Sequence, residues 1–351
     1  MIKIKRTVFP LIHLIIFTMP LMAAGQDQTG KLYPVRQHGK WGYINREGKI
    51  VIAPRFDGAE EFTEGLAPVR IGNKYGYINR SGKIVIPPRF DHAIQFYKGI
   101  AAAVVNRKVG FIDRTGKFLI NPRFERTGYS GFGDEGLAMI STGGKFGYID
   151  TMGQVVIRHI YSLTRGWSEG LNPVVSSGEK WSFIGLKGET VIKPAFDDAH
   201  NFSEGLAAVQ IGTKWGYIDK TGKPVINPKF DMATQFSEDL AAVEIQGMWG
   251  YINKQGQYII SPGYYNAWPF INGLAPVVLE PNRQYTTPQG TFTEDVGHKW
   301  AYIDKTGKIV LKVEGLTDRV GDFIDGIAKI EFRDGRVGYI DQTGKYIWGP
   351  K

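Results

Sequence analysis

Acidic side chains recur at one position along this sequence and are its clearest candidates for chemistry. They are Glu64, Glu135, Glu169, Glu204 and Glu238. Two such carboxylates facing each other across a groove would supply the acid and the base that glycoside hydrolysis uses. However, a carboxylate that returns with repeat after repeat is typical of a structural or surface ladder, whereas a catalytic pair occupies one special place. We therefore predict that the protein is not an enzyme.

Other chemical motifs fail on their context. Residues 131–136 spell a dinucleotide-binding loop, but their Glu-Gly end belongs to a recurring Glu-Gly-Leu-Ala segment, and no strand and helix flank it. The 6 histidines are scattered, with no pair at the spacing of metal ligands. The sequence holds no Gly-x-Ser-x-Gly elbow and no Walker loop. We predict neither a metal nor a cofactor.

The tripeptide Trp-Gly-Tyr and its close variants divide the chain into repeats. Successive spacings between them are 34, 34, 37, 35, 34, 34, 51 and 37 residues. Because a stacked array spreads its chemistry along a surface, these repeats favour binding over catalysis. The tripeptides start at nine positions, which are Trp41, Tyr75, Val109, Phe146, Trp181, Trp215, Trp249, Trp300 and Val337.

One regular repeat, residues 205–238, predicts a three-stranded antiparallel meander. Its strands are expected at 206–211, 215–218 and 224–226, from alternation and β-prone composition. The Asp-x-x-Gly segment between the last two fits a type I turn with a glycine bulge, so its acid is predicted to be structural. The next segment, Pro-x-Phe-Asp-x-Ala-x-x-Phe, has apolar residues three apart, which favours one helical turn or a tightly bent connector.

The tandem aromatic residues are predicted to form the structural spine of the array. Trp215 and Tyr217 lie two apart on a strand and share a face, while Gly216 between them lets another backbone or ring approach. A place in the core is favoured over exposed platforms that stack on carbohydrate. The set comprises Trp41, Tyr43, Tyr75, Tyr77, Trp181, Trp215, Tyr217, Trp249, Tyr251, Trp300 and Tyr302.

The extended motif Lys-Trp-Gly-Tyr-Ile-Asp-x-x-Gly-Lys-x-Val-Ile-x-Pro-x-Phe-Asp, found at 214–231 and in a close variant at 40–57, closely resembles the WG-repeat family of bacterial proteins. The resemblance covers essentially the whole mature chain. It implies a repeat scaffold, often exported, with no established catalytic residues. Local departures from the pattern are Val109, Ser182, Ala301, Val337 and the segment 158–161.

Stacked meanders predict an all-β fold. The chain starts on a first strand near Leu32 and ends on a third strand near Ile347, so no spare strand is left to complete the last blade of a propeller. We therefore expect an open twisted solenoid of about nine units of roughly 34 residues each. A closed β-propeller is the alternative.

The N-terminal residues predict export. Lys3, Lys5 and Arg6 precede an apolar run over 8–22, and the small residues 23–25 offer a cleavage site. We expect a signal peptide at 1–25 and the repeat array at 26–351, with no membrane span after cleavage. The mature protein would be periplasmic, associated with the outer envelope, or secreted.

Charge and cysteine content narrow the partners. The net charge of +9 is spread without blocks of like charge, so nucleic acid is not predicted as a partner. Since the sequence has no cysteine, the exported chain has no disulfide framework and must be stabilised by stacking and burial.

The 51-residue spacing marks a long loop at 279–298. Loops at the edge of a scaffold often carry binding, and aromatic residues and arginine dominate interface energetics, so Arg283, Tyr285 and Phe292 form the predicted anchor set. We expect a non-catalytic exported scaffold that binds an unidentified protein or peptide of the cell envelope. A glycan-binding repeat protein is the alternative, and a carboxylate-dependent enzyme acting on envelope polymers is less favoured.

Overall fold

The computed structural model describes residues 30–349, apart from 177, 179, 281–282, 288–289, 295–298, 314–316 and 333. At 126–130, 280, 283–287, 290–294 and 317–318 it describes the backbone alone. The predicted signal peptide at 1–25 lies outside the described residues and stays a prediction. Every regular element in the described part of the chain is a strand. No helix long and apolar enough to cross a membrane occurs there.

The strands form nine successive antiparallel units, most of them four-stranded. Units 1 to 3 contain β1 (Tyr33–Gln37), β2 (Lys40–Ile44) and β3 (Ile50–Phe56); β4 (Gly58–Ala59), β5 (Leu66–Ile71), β6 (Lys74–Asn79) and β7 (Ile84–Phe90); and β8 (His92–Ala93), β9 (Ala101–Val105), β10 (Lys108–Ile112) and β11 (Phe118–Phe124). Units 4 to 6 contain β12 (Arg126–Phe132), β13 (Ala138–Thr142), β14 (Lys145–Ile149) and β15 (Val155–Thr164); β16 (Asn172–Ser176), β17 (Trp181–Ile184) and β18 (Thr190–Phe196); and β19 (Asp198–Ser203), β20 (Leu206–Ile211), β21 (Lys214–Ile218) and β22 (Pro224–Phe230).

Units 7 to 9 complete the array. They contain β23 (Met232–Ala233), β24 (Ala241–Ile245), β25 (Met248–Ile252) and β26 (Tyr258–Tyr264); β27 (Asn266–Ala267), β28 (Leu274–Glu280), β31 (Lys299–Asp304) and β32 (Ile309–Val313); and β33 (Thr317–Val320), β34 (Ile327–Phe332), β35 (Val337–Asp341) and β36 (Tyr346–Trp348). Between β28 and β31, the predicted long loop forms a separate hairpin of β29 (Arg283–Thr287) and β30 (Gly290–Glu294). The prediction of an all-β tandem repeat of antiparallel meanders is confirmed.

The Asp-x-x-Gly turns form as their sequence predicts. In unit 3 the Asp113 carboxylate accepts hydrogen bonds from the backbone N–H and the hydroxyl of Thr115 and from the N–H of Lys117. Gly116 closes the turn with φ +87°. The hydrogen bond from the Thr115 hydroxyl is the first cause that lowers the pKa of Asp113 below its ordinary value. The predicted structural role of these turn acids agrees with the hydrogen bonds that Asp113 accepts.

The glycine of the tripeptide lies against the neighbouring strand. A Cβ on Gly216 would stand 2.4 Å from the carbonyl oxygen of Ile226, because a bulge brings β22 across β21 at that point. Unit 8 has Ala301 at the equivalent position, and there the pairing of β31 with β32 runs through Trp300, Ala301 and Tyr302 without the bulge. Unit 5 keeps the bulge with Ser182 at this position, so glycine relieves the close approach that the bulge creates, but the bulge does not strictly require it.

The connector that follows each third strand contains no helical turn in the described units. In unit 2 the chain bends at Asp57, adds the short strand β4 to the sheet, and reverses at Glu64-Gly65, where φ is +50° and +79°. Two consecutive residues with positive φ, flanked by reciprocal hydrogen bonds between Thr63 and Leu66, make a two-residue hairpin turn. Of the two structures that the apolar spacing favoured, the bent connector is observed.

Neighbouring units pack face to face through an aromatic pair. Tyr217 of unit 6 packs against Phe236 of unit 7 with ring centroids 4.9 Å apart, and its hydroxyl donates to the carbonyl of Thr234 at 2.8 Å. The same tyrosine-to-carbonyl hydrogen bond joins Tyr43 to Glu60, Tyr77 to Ile94, Tyr251 to Trp268 and Tyr302 to Gly321. Each buried ring thus belongs to the core between two units.

The last unit makes the same contact with the first. The Tyr339 hydroxyl donates to the carbonyl of Pro34 at 2.9 Å, and the rings of Tyr339 and Tyr33 lie 5.4 Å apart within a shared core that includes Val35 and Ile327. These contacts close the array into a ring, which is the closed alternative rather than the open stack. The strand count favoured an open end, but closure here uses the packing of one sheet on the next, so no strand has to be exchanged.

Candidate binding site between units 4 and 5

A charge ladder runs along the hairpin turns of the regular interfaces. At the interface of units 6 and 7, the Glu204 carboxylate accepts the backbone N–H of Asp239 at 3.0 Å and pairs with the Lys254 ammonium at 3.1 Å. The same arrangement joins Glu64 to Gly99 and Arg114, Glu169 to Gly205 and Lys220, and Glu238 to Gly273 and Lys305. The glutamate comes from one unit, and the cation from the second-to-third-strand turn of the next.

The ladder is interrupted between units 4 and 5. Glu135 is the glutamate of unit 4, yet among the described residues it has neither an ion-pair partner nor the N–H of Gly170 as a donor. The turn of unit 5 reads Gly185-Leu186-Lys187-Gly188, so Leu186 stands where other units carry lysine or arginine. The chain also has one more residue between Phe132 and Gly136 than between Phe62 and Gly65, and Glu135 lacks the positive φ of the other ladder glutamates.

Two buried alanines of the repeat are replaced by polar residues at the same interface. Thr164 and Asn172 occupy the positions of Ala233 and Ala241 in unit 7. Asn172 donates to the Tyr148 hydroxyl at 2.5 Å, Tyr148 and Thr164 are joined at 2.6 Å, and Thr164 donates to the Asn172 amide oxygen at 2.9 Å. This closed network replaces the tyrosine-to-carbonyl hydrogen bond of the regular interfaces and satisfies Asn172, which is 0% exposed.

The third strand of unit 4 is irregular in a way that accompanies this network. In units 1, 2, 5 and 6 the third strand contains a proline near its end, and an aspartate separates it from the short strand of the next unit, whereas unit 4 has His159 and Ser162 at these positions. β15 is therefore a single uninterrupted strand that pairs with β14 through its first part and with β16 through its last part. Units 4 and 5 consequently share one seven-stranded sheet. The uninterrupted strand carries Thr164 into the interface.

A cavity of about 780 Å³ opens above the network. Its lining includes Glu135, Tyr148, Thr164, Trp167 and Glu169. Trp167 stands where other units have phenylalanine; its ring lies 5.2 Å from that of Tyr148, and its buried indole N–H has no acceptor among the described residues. The volume is in the range typical of ligand sites, and the lining combines an aromatic wall with a few polar groups.

Comparison with known families decides what kind of chain carries this site. The model of the WG containing repeat family matches seven consecutive segments, 41–75, 75–108, 110–146, 146–180, 181–215, 215–249 and 249–280. Together they span more than half of the sequence. The chain belongs to the WG-repeat family.

Two solved structures are similar to this WG-repeat protein in fold. The crystal structure of a eukaryotic initiation factor aligns with a TM-score of 0.64 at 10% identity, covering 90% of this chain and 95% of that one. The computationally designed Ika8 protein aligns with a TM-score of 0.50 at 12% identity, covering 88% of this chain and 99% of that one. At such identities the likeness concerns the fold alone. A comparison with curated proteins finds no match.

The electrostatics of the cavity follow from its ion pairs. Asp134 at the rim accepts the Tyr97 hydroxyl and pairs with Lys98 at 3.0 Å, and these two contacts, the tyrosine first, lower the pKa of Asp134. Arg165 pairs with Asp198 at 2.7 Å, and Glu169 pairs with Lys220 at 3.0 Å.

Glu135 is therefore the charged group of the lining without an ion-pair contact in the described part of the chain, although its charge also acts on Lys98. Burial raises the pKa of Tyr148, so this phenol stays protonated and donates at neutral pH.

The predicted site residues of the WG repeats are placed as follows. The side chains of Arg283, Tyr285 and Phe292 lie outside the described residues, so this anchor set stays a prediction. Tyr43, Tyr77, Tyr217, Tyr251 and Tyr302 are buried, as are Trp181, Trp215 and Trp300, while Trp41, Tyr75 and Trp249 are half-buried. Stacking platforms on the buried tryptophans would be closed to a glycan.

The recurring carboxylates are for the most part fixed by neighbours. The cavity does bring Glu135 and Glu169 into one lining, but Glu169 already accepts from Gly205 and Lys220. Among the described residues, no group of three or more histidine, cysteine or acidic side chains is arranged to hold a metal ion.

This site was not identified from the sequence, although residues 131–136 and Glu135 were considered individually. A comparison of the repeats with one another would have found it. Thr164 and Asn172 at alanine positions, Trp167 at a phenylalanine position and Leu186 at a cation position all fall within 23 residues of the chain.

Proposed function

We propose that this WG-repeat protein is a non-catalytic exported scaffold that binds a protein or peptide of the cell envelope in the cavity between units 4 and 5. The observation that carries the proposal is the concentration of departures from the repeat at one interface. Thr164, Trp167, Asn172 and Leu186 each replace a residue that regular units share; of the four, Thr164 and Trp167 line the cavity, together with Glu135. Loss of regularity that collects around a cavity favours a ligand site over random drift.

A glycan is the alternative ligand. Trp167 offers one aromatic ring at the cavity, and carboxylates beside an aromatic ring suit sugars as well as peptides. The repeat tryptophans give little further support, because Trp181, Trp215 and Trp300 are buried.

The test compares the protein with a regularised variant that carries Thr164→Ala, Trp167→Phe, Asn172→Ala and Leu186→Lys. Each substitution installs the residue of the regular units, so the variant is expected to fold and to melt no earlier than the unaltered chain. Both proteins are applied to a random peptide array and to a glycan array. Peptides bound by the unaltered chain and lost by the variant support the proposal.

Two other outcomes contradict it. Binding of glycans alone would establish the alternative ligand. Peptide binding that survives regularisation but disappears when residues 281–296 are deleted would move the site to the long hairpin and to the predicted anchors Arg283, Tyr285 and Phe292.

A further inference from the structure

At the regular interfaces the charge ladder pairs each glutamate with a cation, and the interface of units 4 and 5 lacks this cation. Lys220, Lys254 and Lys305 each place an ammonium 3.0–3.1 Å from the glutamate of the preceding unit. At two interfaces where the glutamate position is not acidic, the cation position is not basic either: Lys98 corresponds to Thr151, and Asn272 corresponds to Gln342. Between units 1 and 2, Gly30 at the glutamate position corresponds to Arg80, so a cation without its acid does occur. Glu135 with Leu186 is the reverse case, because the acid is kept and the cation is absent.

The other charges around the cavity are already neutralised. Asp134 is held by Lys98, Glu169 by Lys220, and Arg165 by Asp198. The Glu135 carboxylate is half-buried at a concave opening, where an ion pair is screened less by water than it would be at a flat, open surface.

Trp167 supplies a second feature that suits a cation. Regular interfaces have phenylalanine at this position, as at Phe202 and Phe236. The larger indole extends the aromatic wall of the cavity, and tryptophan attracts ammonium and guanidinium groups through its ring face more strongly than phenylalanine does. The face of the Trp167 indole therefore favours a cation near the place where Glu135 provides a negative charge.

We propose that the cavity binds the basic side chain of a peptide, a lysine ammonium or an arginine guanidinium, which pairs with Glu135 beside the Trp167 ring. The ligand supplies from outside the cation that the turn of unit 5 lacks. This inference rests on the proposed function, since it names the chemistry of the peptide that the same cavity takes. The roughly 780 Å³ of space exceeds what one side chain fills, so residues flanking the basic one enter as well.

The experiment uses four blocked pentapeptides that differ only in a central arginine, lysine, norleucine or glutamate. Binding to the purified protein is measured by titration calorimetry at low and at physiological salt. The arginine and lysine peptides are expected to bind at least tenfold more tightly than norleucine, with the glutamate peptide weakest. Raising the salt concentration should narrow this difference.

Substitutions at the charge-ladder positions test whether Glu135 causes the preference for basic peptides. Glu135→Gln should remove the preference for basic peptides, and Leu186→Lys should fill the site with an internal ammonium and weaken basic peptides at least tenfold. Glu204→Gln, at the regular interface of units 6 and 7, is the matched control and should leave binding unchanged.

The outcomes separate the two proposals. If the peptides bind without regard to charge, or glutamate binds best, the basic-side-chain inference is overturned while peptide binding stands. If no pentapeptide binds and the peptide array is also blank, both fail. A preference for basic peptides that Glu135→Gln leaves intact would likewise overturn the inference.

Discussion

The interface between units 6 and 7 and the interface between units 4 and 5 are built on the same strands yet differ in every polar contact. In the first, Tyr217 donates to a carbonyl, and Glu204 is fixed by a backbone N–H and by Lys254. In the second, Tyr148 joins a side-chain network, and Glu135 is left without a counter-ion among the described residues.

A few positions separate the interface with the cavity from a regular interface. The strand framework is shared, since the glycine of the tripeptide meets a carbonyl of the third strand in both units. Specialisation uses a few positions that face the next unit, at two alanines, one phenylalanine and one lysine of the regular pattern. Because each interface contacts only its neighbours, such changes need no compensation elsewhere in the ring.

The largest expected effect tests the shared framework. A Cβ on Gly147 or on Gly216 would meet the carbonyl oxygen of Ile157 or Ile226 at 2.5 or 2.4 Å. Gly147→Ala and Gly216→Ala should each lower the free energy of unfolding by about 2 kcal/mol, because the third strand must shift to admit the Cβ while keeping its bulge, an arrangement that unit 5 reaches with Ser182. Chemical denaturation measures the loss. Ala301→Gly, in the unit without this bulge, should cost only about 1 kcal/mol, and equal costs at all three sites would refute the account of the bulge.

The next expected effect is also on stability, and it differs between Tyr217 and Tyr148. Tyr217→Phe removes one hydrogen bond to the Thr234 carbonyl and should cost about 1 kcal/mol. Tyr148→Phe should cost about 2 kcal/mol, because it strips an acceptor from the buried Asn172 amide and leaves that group unsatisfied. The same denaturation measurement applies. Combining Tyr148→Phe with Asn172→Ala should recover part of the loss, and no recovery would contradict the network.

A smaller effect comes from the charge ladder. Lys254→Met removes a cation that pairs with both Glu204 and Asp239, at 3.1 and 2.8 Å. Since these side chains are partly exposed, the expected loss is about 0.5 kcal/mol and should vanish in concentrated salt. Leu186→Lys should stabilise the ring by a similar amount through Glu135. If Lys254→Met and Leu186→Lys shift the melting temperature in the same direction, the two interfaces do not differ in charge balance.

Most of the fold was accessible from the sequence. The strands predicted at 206–211, 215–218 and 224–226 correspond to Leu206–Ile211, Lys214–Ile218 and Pro224–Phe230. Alternation and turn chemistry are local, so one repeat was enough to derive them. The connector was ambiguous because its apolar residues are set three apart by a bend, a short strand and a hairpin turn in succession, and this spacing imitates a helical period.

Closure and the site depended on contacts that no single repeat contains. The hydrogen bond from Tyr339 to Pro34 spans nearly the whole chain, and strand counting did not foresee it. At the interface of units 4 and 5, the extra residue before Gly136, Leu186 in place of lysine, and the polar pair Thr164 and Asn172 all occur together. Each of these departures is a single change within its own repeat, and it indicates a site only when the fold brings the departures together.

The smallest expected effect extends the comparison to the interface that follows the cavity. His200 of unit 6 packs against Trp215 with ring centroids 4.8 Å apart. Burial is the first cause that lowers its pKa, the charge of Arg165 adds to this, and Asp198 opposes it. The unfolded chain therefore binds a proton below about pH 6.5 where the folded chain does not, so stability is lost as the pH falls through this window.

Melting temperatures between pH 7.5 and 5 test this dependence. His200→Gln should reduce the loss of stability on acidification, while His38→Asn, a change at an exposed histidine, should leave the loss as it is. Unit 7 has Thr234 at the position of His200 and provides no such group. If His200→Gln leaves the pH profile unchanged, the lowered pKa of His200 does not contribute to the stability of the fold.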